Sequence, residues 1–462
     1  MERTDKALLA AFLAAAALGT LTWCLLVNDA SIFIAAGWLG DSWDLYFSQF
    51  AGRALGMYLL FGPAQLVLRV VPMSAGTFVT LSHILYFAVP LVLWLALRAI
   101  EPHRLFSRLY LAIVLAVVFF PTELIVGCGL WLIWLAIATD QRRSLRATAL
   151  ATIVLGAALI FTHPAIAAMG LLYLVVGTGL RFFGRAVPTQ SLIAATILSA
   201  LLIVGYLAAG RLLPPTNPSV IEGVARNSTS YIDPIEMAKT IGKYAVIGVL
   251  WLLLLGPGLI GRFRPASLVF LAIAGIWFAA AGTNLLTYFY ARYTAPHVLA
   301  LAVVLAIATP DKWLENARRG LILYAAITVT AAASYAVDLR LFERFMTRHL
   351  QPGIANVETL STDPWPSSLV KVTPLRDVFK WGAGDDYVRN VIVPTYDWFY
   401  RVTLAYHSFF ASDRQSVLYH PLDRPGDWRP CSRSAVQHAL VHARDAADRR
   451  FLTFLEANYC AR

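Results

Sequence analysis

Residues 77–97 read TFVTLSHILYFAVPLVLWLAL, a stretch without a single Asp, Glu, Lys or Arg. An α-helix of this length covers about 30 Å, which is the thickness of the hydrocarbon core of a bilayer. Similar apolar runs recur from residue 7 to residue 338. The chain is 58% hydrophobic and only 14% charged, whereas a soluble domain carries charge on about a quarter of its positions. The sequence therefore predicts an integral membrane protein that crosses the bilayer many times.

The net charge of +11 is distributed over short basic connections between the apolar runs. These connections occur at every second loop, as the positive-inside rule describes for cytoplasmic loops. The charge therefore indicates topology and argues against a surface for nucleic acid. The basic connections contain Arg98, Arg104 and Arg108, then Arg142, Arg143 and Arg146, then Arg181 and Arg185, then Arg262 and Arg264, and finally Lys312, Arg318 and Arg319.

The alternation predicts an all-α polytopic fold of about 11 transmembrane helices, with the N-terminus in the cytoplasm. Residues 7–27 are longer than the apolar core of a signal peptide and lack an evident cleavage site, so we interpret them as a permanent span. Two outer loops are predicted at 28–75 and 210–241. The predicted spans are 7–27, 77–97, 106–120, 124–139, 148–162, 165–180, 191–209, 242–261, 266–281, 294–309 and 320–338.

Within the first outer loop, residues 50–71 are apolar enough to be counted as a further span. Counting them would place the basic loop 98–108 outside and invert every later basic loop, against the positive-inside rule. We therefore interpret 43–71 as amphipathic or re-entrant helices at the outer interface. Arg53, Pro63 and Arg69 fit that interpretation better than they fit a clean span.

The composition changes after the transmembrane domain of residues 1–338. Residues 339–462 are rich in Asp and Arg and contain no run long enough to span, which predicts a small extracytoplasmic C-terminal region. This region holds Cys431 and Cys460, and an oxidising compartment would favour a disulfide between them. Cys24 and Cys128 lie in apolar spans and are interpreted as buried hydrophobic side chains.

Ionisable side chains are almost absent from the predicted spans and gather at their outer ends. The first pair is Asp41 and Asp44 in the first outer loop, three residues apart and on one face if the segment is helical. Two carboxylates there can hold a divalent cation, or one can act as a general base. The alternative is a helix start, with Asp41 as the N-cap and Asp44 complementing the helix dipole.

Arg292 is a second candidate, because a guanidinium at the outer interface can hold a phosphate through two hydrogen bonds. The alternative is an interfacial arginine that reaches out of the membrane. Glu123 and His163 also lie at predicted outer helix ends and are further candidates for substrate or phosphate binding. For both, the alternative is a satisfied polar residue at a helix end.

This arrangement resembles the GT-C superfamily of membrane glycosyltransferases. The resemblance rests on the first span, the long outer loop with its acidic pair, and the many short-looped spans. It rests also on Tyr290-Ala291-Arg292-Tyr293-Thr294-Ala295-Pro296, which is similar to the Arg-Tyr…Pro segment near the late spans of that family. The family usually separates its acidic pair by one residue, whereas two separate Asp41 from Asp44. That departure leaves open which Asp is catalytic and whether a metal is bound.

The resemblance implies an enzyme that transfers a sugar, with inversion, from a polyprenyl-phosphate donor to a lipid or cell-envelope glycan. Asp41 or Asp44 would be catalytic, Arg292 and Tyr293 would bind substrate or phosphate, and Mg²⁺ or Mn²⁺ is the cofactor left open. The bilayer, the donor and the acceptor are the expected partners. The expected location is a bacterial inner membrane, with the C-terminus in the periplasm. A lipid-linked oligosaccharide polymerase or ligase, a polytopic carrier or flippase, and a non-catalytic anchor for 339–462 remain as alternatives.

Overall fold

The computed structural model describes residues 2–27, 51–101, 105–117, 122–163, 165–184 and 186–212, together with isolated positions within 30–37, 321–336 and 437–453. All regular structure in these ranges is helical, which confirms the predicted all-α class for this part of the chain. The predicted spans after residue 212, the outer loop 210–241 beyond Leu212, and the C-terminal region lie outside the continuously described residues.

Eight α-helices follow one another in the described ranges, with short 3-10 helices at Cys24–Val27 and Ala51–Arg53. Seven of these helices, all except the one at Ala54–Val70, begin or end within a few residues of a predicted span. The helices are α1 (Arg3–Leu21), α2 (Ala54–Val70), α3 (Ala75–Ile100), α4 (Leu105–Val117), α5 (Leu124–Thr139), α6 (Leu145–Ile160), α7 (Ala165–Phe182) and α8 (Thr189–Leu212).

Three of the described helices are long and apolar enough to cross a membrane. They are α1, α3 and α8, within which the qualifying segments are Arg3–Leu21, Gly76–Ile100 and Thr189–Ala209. The helices α5 and α6 have 16 residues each and extend for about 24 Å, less than the ~30 Å of the hydrocarbon core. The bundle therefore combines long helices with apolar helices that are shorter than the hydrocarbon core is thick.

Serine caps begin two of these helices. The Ser74 side chain accepts a hydrogen bond from the Thr77 N–H at the start of α3. The Ser144 side chain accepts one from the Ala147 N–H at the start of α6. Each cap satisfies a backbone donor that the first turn of a helix leaves without an intrahelical partner.

Ion pairs centred on the buried Asp5 connect the helices at the end of the bundle where α1 begins. The Asp5 carboxylate lies 2.6 Å from Arg108 Nε and 3.7 Å from Arg98 Nη1. Arg108 Nη2 also lies 2.6 Å from a carboxylate oxygen of Glu2. We call this end, which includes the loop around Asp140 between α5 and α6, the basic end. Two arginines of the predicted cytoplasmic loops thus join α1 to α3 and α4.

The long helix α3 shows at which level along the bundle its neighbours begin and end. The Tyr86 hydroxyl, midway along α3, accepts a hydrogen bond from the Thr122 N–H just before α5. From that level, α3 continues for about 16 Å to Ala75. Because α5 begins and α6 ends at this level, the bundle has a step at the end opposite the basic end. We call that end the stepped end.

The helix α2 runs only from this step toward the start of α3. Its first turn lies against the turn after α6, where the Leu55 N–H donates to the Phe161 carbonyl over 2.9 Å. It packs on α3 and α5, with Phe61 against Tyr86 at a ring separation of 5.8 Å. Val70, at its far end, is largely exposed. The helix is therefore packed against its neighbours over most of its length, while its last turn is largely exposed, and it does not reach the basic end.

Candidate functional site

Glu123 and His163, two of the residues selected from the sequence, come together at the step. Glu123 precedes α5, and His163 closes the turn between α6 and α7. The Nε2 atom of His163 lies 3.6 Å from the Oε1 atom of Glu123, and both side chains are buried. Two helix ends that are far apart in the sequence thus place an imidazole beside a carboxylate.

Arg53 joins this pair from the 3-10 helix that leads into α2. Its Nη1 atom lies 3.1 Å from Glu123 Oε1, the oxygen that also faces His163. The Arg53 side chain is 28% exposed, against 4% for Glu123 and 5% for His163. We call Arg53, Glu123 and His163 the step cluster. A buried carboxylate without a partner would be strongly destabilising, and the nearby guanidinium supplies the compensating charge.

Gly56 permits the close approach that brings Arg53 to Glu123. A Cβ atom added at Gly56 would lie 2.8 Å from Glu123 Cβ and 3.3 Å from the Thr162 carbonyl oxygen. The Gly56 N–H, like that of Leu55, donates to the Phe161 carbonyl, at 3.3 Å. The open end of α6 therefore accepts hydrogen bonds that the first turn of α2 offers. Only glycine fits at this position without displacing its neighbours.

Tyr206 of α8 and Tyr86 of α3 position the turns that carry the cluster. The Tyr206 hydroxyl lies 2.5 Å from the His163 carbonyl oxygen and 2.9 Å from that of Leu159, and it donates toward both. The Tyr86 hydroxyl accepts from the Thr122 N–H over 3.2 Å, next to Glu123. Side chains of two long helices thus hold the backbone on both sides of the Glu123–His163 pair.

The step cluster brings a guanidinium, a carboxylate and an imidazole together. Arg53 provides a permanent positive charge, Glu123 can accept or balance charge, and His163 is charged only when protonated. With His163 neutral, the Arg53–Glu123 pair carries no net charge, and protonation of His163 makes the cluster positive. Such a set can bind a phosphate ester or orient a hydroxyl group.

The remaining predicted site residues lie outside the described residues. They are Asp41, Asp44, Arg292, Tyr293, Cys431 and Cys460. Cys24 and Cys128 are buried free thiols in the described part of the chain, as expected of apolar side chains in spans. Within the same part, no group of three or more His, Cys, Asp or Glu side chains is arranged to hold a metal ion.

Sequence reasoning did not assign Arg53 to a site. It placed Arg53 in an interfacial segment, because a charge within an apolar stretch argues against a span. The available signal was a lone arginine immediately before an apolar helix, and this signal does not identify its partner. The partner, Glu123, is separated from it in the sequence by α2, α3 and α4.

Comparisons with protein-family models, with curated proteins and with solved structures gave no significant match for this chain.

Proposed function

We propose that this chain is a membrane glycosyltransferase, which transfers a sugar from a polyprenyl-phosphate donor to a lipid or cell-envelope glycan at the outer face of a bacterial inner membrane. The observation that carries the proposal is the step cluster, a cation, a carboxylate and an imidazole assembled where apolar helices end part-way through the bundle. A donor with a lipid tail and a charged head group needs such a polar site next to apolar helices.

The orientation that we propose for the chain in the membrane follows from the distribution of its charged residues. The basic end carries Arg142 and Arg143 in the loop beside Asp140, and both side chains are exposed. Under the positive-inside rule this end faces the cytoplasm. The stepped end and its cluster then face the periplasm, on the side where Asp41, Asp44 and Arg292 are predicted from the sequence.

The proposed transfer needs no reactant other than the donor and the acceptor. The oxygen of an acceptor hydroxyl forms a bond to the anomeric carbon of the sugar, and the bond from that carbon to the phosphate oxygen breaks. The departing polyprenyl phosphate takes the electron pair, and the hydroxyl proton passes to a carboxylate, for which Asp41 or Asp44 is the candidate. Positive charge near the departing phosphate, from Arg292 among others, stabilises the developing anion.

Glycolipid turnover tests this function. Full-length protein in lipid is given polyprenyl-phosphate sugars and a membrane extract as the acceptor, beside the variants Asp41→Asn, Asp44→Asn and Arg292→Ala. We expect transfer by the wild type and its loss in one Asp variant, by about 100-fold or more for removal of a general base. Full activity in all three folded variants would remove these residues from the mechanism, and no transfer from any donor would contradict the function.

A second function is favoured by the presence of both an arginine and a histidine beside Glu123 in the step cluster. Lipid-linked oligosaccharide polymerases and ligases also depend on arginine and histidine side chains at the outer face. The two functions differ in the donor, which is a single sugar on a monophosphate in one and an assembled lipid-linked oligosaccharide in the other. Turnover of lipid-linked oligosaccharides but not of monosaccharide phosphates would therefore assign the chain to the second class.

A further inference from the structure

Arg53 is the most exposed side chain of the step cluster, and it contacts the buried carboxylate of Glu123. Its guanidinium contacts Glu123 Oε1 through Nη1 at 3.1 Å, and 28% of the side chain is accessible, whereas Glu123 is 4% accessible. A guanidinium has five N–H donors in a rigid planar fork, so one edge can contact a carboxylate while another edge faces a ligand.

Glu123 fixes where this guanidinium can be. It is held at the start of α5 by the backbone of the first turn, with its own carbonyl accepting from the Val126 and Gly127 N–H groups. Its Cβ atom lies in close contact with the backbone of Gly56, three residues after Arg53. Arg53 and Glu123 therefore belong to elements that are packed directly against each other, and the ion pair has little freedom to rearrange.

The helix directions favour an anion at the same place. The N-terminal ends of α2, α5 and α7 all lie next to the cluster, since these helices begin at Ala54, Leu124 and Ala165. Each residue of the cluster is thus within two residues of a helix N-terminus, where the positive end of a helix dipole stabilises negative charge within about one turn. The C-terminal end of α6 lies there as well, and the first-turn N–H groups of Leu55 and Gly56 donate to its Phe161 carbonyl.

We propose that Arg53 binds the phosphate group of a lipid-linked ligand and that Glu123 is the positioning residue that orients its guanidinium. The ligand class is a phosphate ester with an apolar chain, held at the step between the long and the short helices. This inference rests on the proposed function, because it assigns a binding residue for the phosphate of the same donor. It adds Arg53 to Arg292, the phosphate-binding candidate from the sequence.

A binding measurement tests the inference without transfer chemistry. Full-length protein in lipid nanodiscs is titrated with farnesyl phosphate, with farnesol, which lacks the phosphate, and with inorganic phosphate, which lacks the chain. We expect farnesyl phosphate to bind at least tenfold more tightly than either control. Equal binding of inorganic phosphate would identify a free-anion site and overturn the lipid-linked assignment, and equal binding of farnesol would show that the phosphate is not recognised.

The variant Arg53→Gln removes the proposed phosphate contact, and Arg69→Gln is its matched control. Arg69 lies at the exposed far end of the same helix, α2, so its loss changes the net charge equally. We expect Arg53→Gln to weaken farnesyl phosphate binding about 10- to 100-fold, the range for one charge-assisted contact, and Arg69→Gln to leave it within about twofold. Equal affinity of the two variants would overturn the proposal.

The positioning role of Glu123 is tested by non-additivity. We expect Glu123→Gln to weaken binding about tenfold in the wild-type background and to have little effect when Arg53 is already Gln. Additive losses would show that Glu123 does not act through Arg53. Arg53→Lys keeps the charge but not the planar fork, and a folded Arg53→Lys protein with wild-type affinity would also contradict the assignment.

The outcomes separate this inference from the proposed function. Binding of farnesyl phosphate that depends on Arg53, without transfer from any donor, would support the site and contradict the glycosyltransferase. Transfer that is unaffected by Arg53→Gln, in a protein that unfolds at the wild-type temperature, would support the enzyme and overturn the role of Arg53.

Discussion

Asp5 lies at the centre of the buried ion pairs at the basic end, with Arg108 on one side and Arg98 on the other. Its side chain is 3% exposed, whereas that of Glu2, the other acid in the cluster, is 44% exposed. Breaking a buried pair leaves uncompensated charge in the protein interior, whereas an exposed pair contributes little. The two acids therefore contribute differently to the free energy of unfolding, although each contacts Arg108.

We predict that Asp5→Asn lowers the free energy of unfolding by about 3 kcal/mol. The matched variant Glu2→Gln should lower it by less than about 1 kcal/mol, because Glu2 is half-exposed. Thermal unfolding of both variants in the same detergent, followed by intrinsic tryptophan fluorescence, measures the difference. Equal losses of stability would show that burial of Asp5 is not what makes its ion pairs important.

Glu101 is a buried acid between α3 and α4, and its carboxylate accepts hydrogen bonds from the Phe106 and Ser107 N–H groups at the start of α4. Burial raises its pKa to about 7, and the hydrogen bonds and Arg108 oppose this rise. The protonated acid is therefore favoured in the folded protein relative to the unfolded chain. This contribution is fully present below the unfolded pKa and is lost as the pH rises through about 7.

We predict that the wild type loses stability relative to Glu101→Gln as the pH is raised from 4.5 to 8, by about 3 kcal/mol at most. The glutamine variant stays uncharged over the whole range, so it removes this pH dependence and leaves others unchanged. Parallel melting curves of the two proteins across the range provide the measurement. A constant difference in melting temperature would mean that Glu101 does not titrate there.

The residues of the step cluster were predictable from the sequence only in part. Glu123 and His163 were identified because the apolar runs end beside them, so their position at helix ends follows from the pattern. Their contact with each other, and with Arg53, depends on which helices pack together. That information lies in the contact of Gly56 with Glu123 and Thr162, which no local pattern in the sequence expresses.

Among the secondary-structure elements, α2 is the one whose position brings Arg53 to the site. The sequence predicted amphipathic or re-entrant helices over 43–71, but it did not predict which helices α2 would pack against. Its position is fixed by the Leu55 and Gly56 N–H groups, which donate to the Phe161 carbonyl, and by the lack of a Cβ at Gly56. By contrast, α5 begins and ends as predicted, at 124 and 139, because its apolar run is bounded by Glu123 and Asp140.

We predict that Gly56→Ala destabilises the protein by about 1–3 kcal/mol, the cost of overpacking, and weakens farnesyl phosphate binding by moving α2 away from Glu123. Gly179→Ala in α7 is the matched control, because a Cβ at Gly179 meets no atom within 4 Å. The control should be neutral or stabilising by up to about 1 kcal/mol, since alanine favours helix. Melting temperature and ligand affinity are measured for both, and equal behaviour of the two variants would contradict the close-packing account.

At the scale of the described bundle, the candidate site depends on the arrangement of long and short helices more than on their number. The helices α5 and α6 stop at the step, whereas α3 continues beyond it for about 16 Å. A polar cluster at that depth lies within the outer part of the hydrocarbon region if the basic end is at the cytoplasmic boundary. The proposed function requires that this cluster be open to the periplasmic side, so that an acceptor can reach it.

Side-specific labelling of residue 53 tests that requirement most directly. In a protein whose four native cysteines are replaced by serine, Arg53→Cys and Arg143→Cys are treated separately with a membrane-impermeant maleimide in intact bacterial spheroplasts. We predict labelling of Arg53→Cys in intact spheroplasts and of Arg143→Cys only after lysis. Labelling of Arg143→Cys in intact spheroplasts, or of Arg53→Cys only after lysis or denaturation, would contradict a cluster that opens to the outer face.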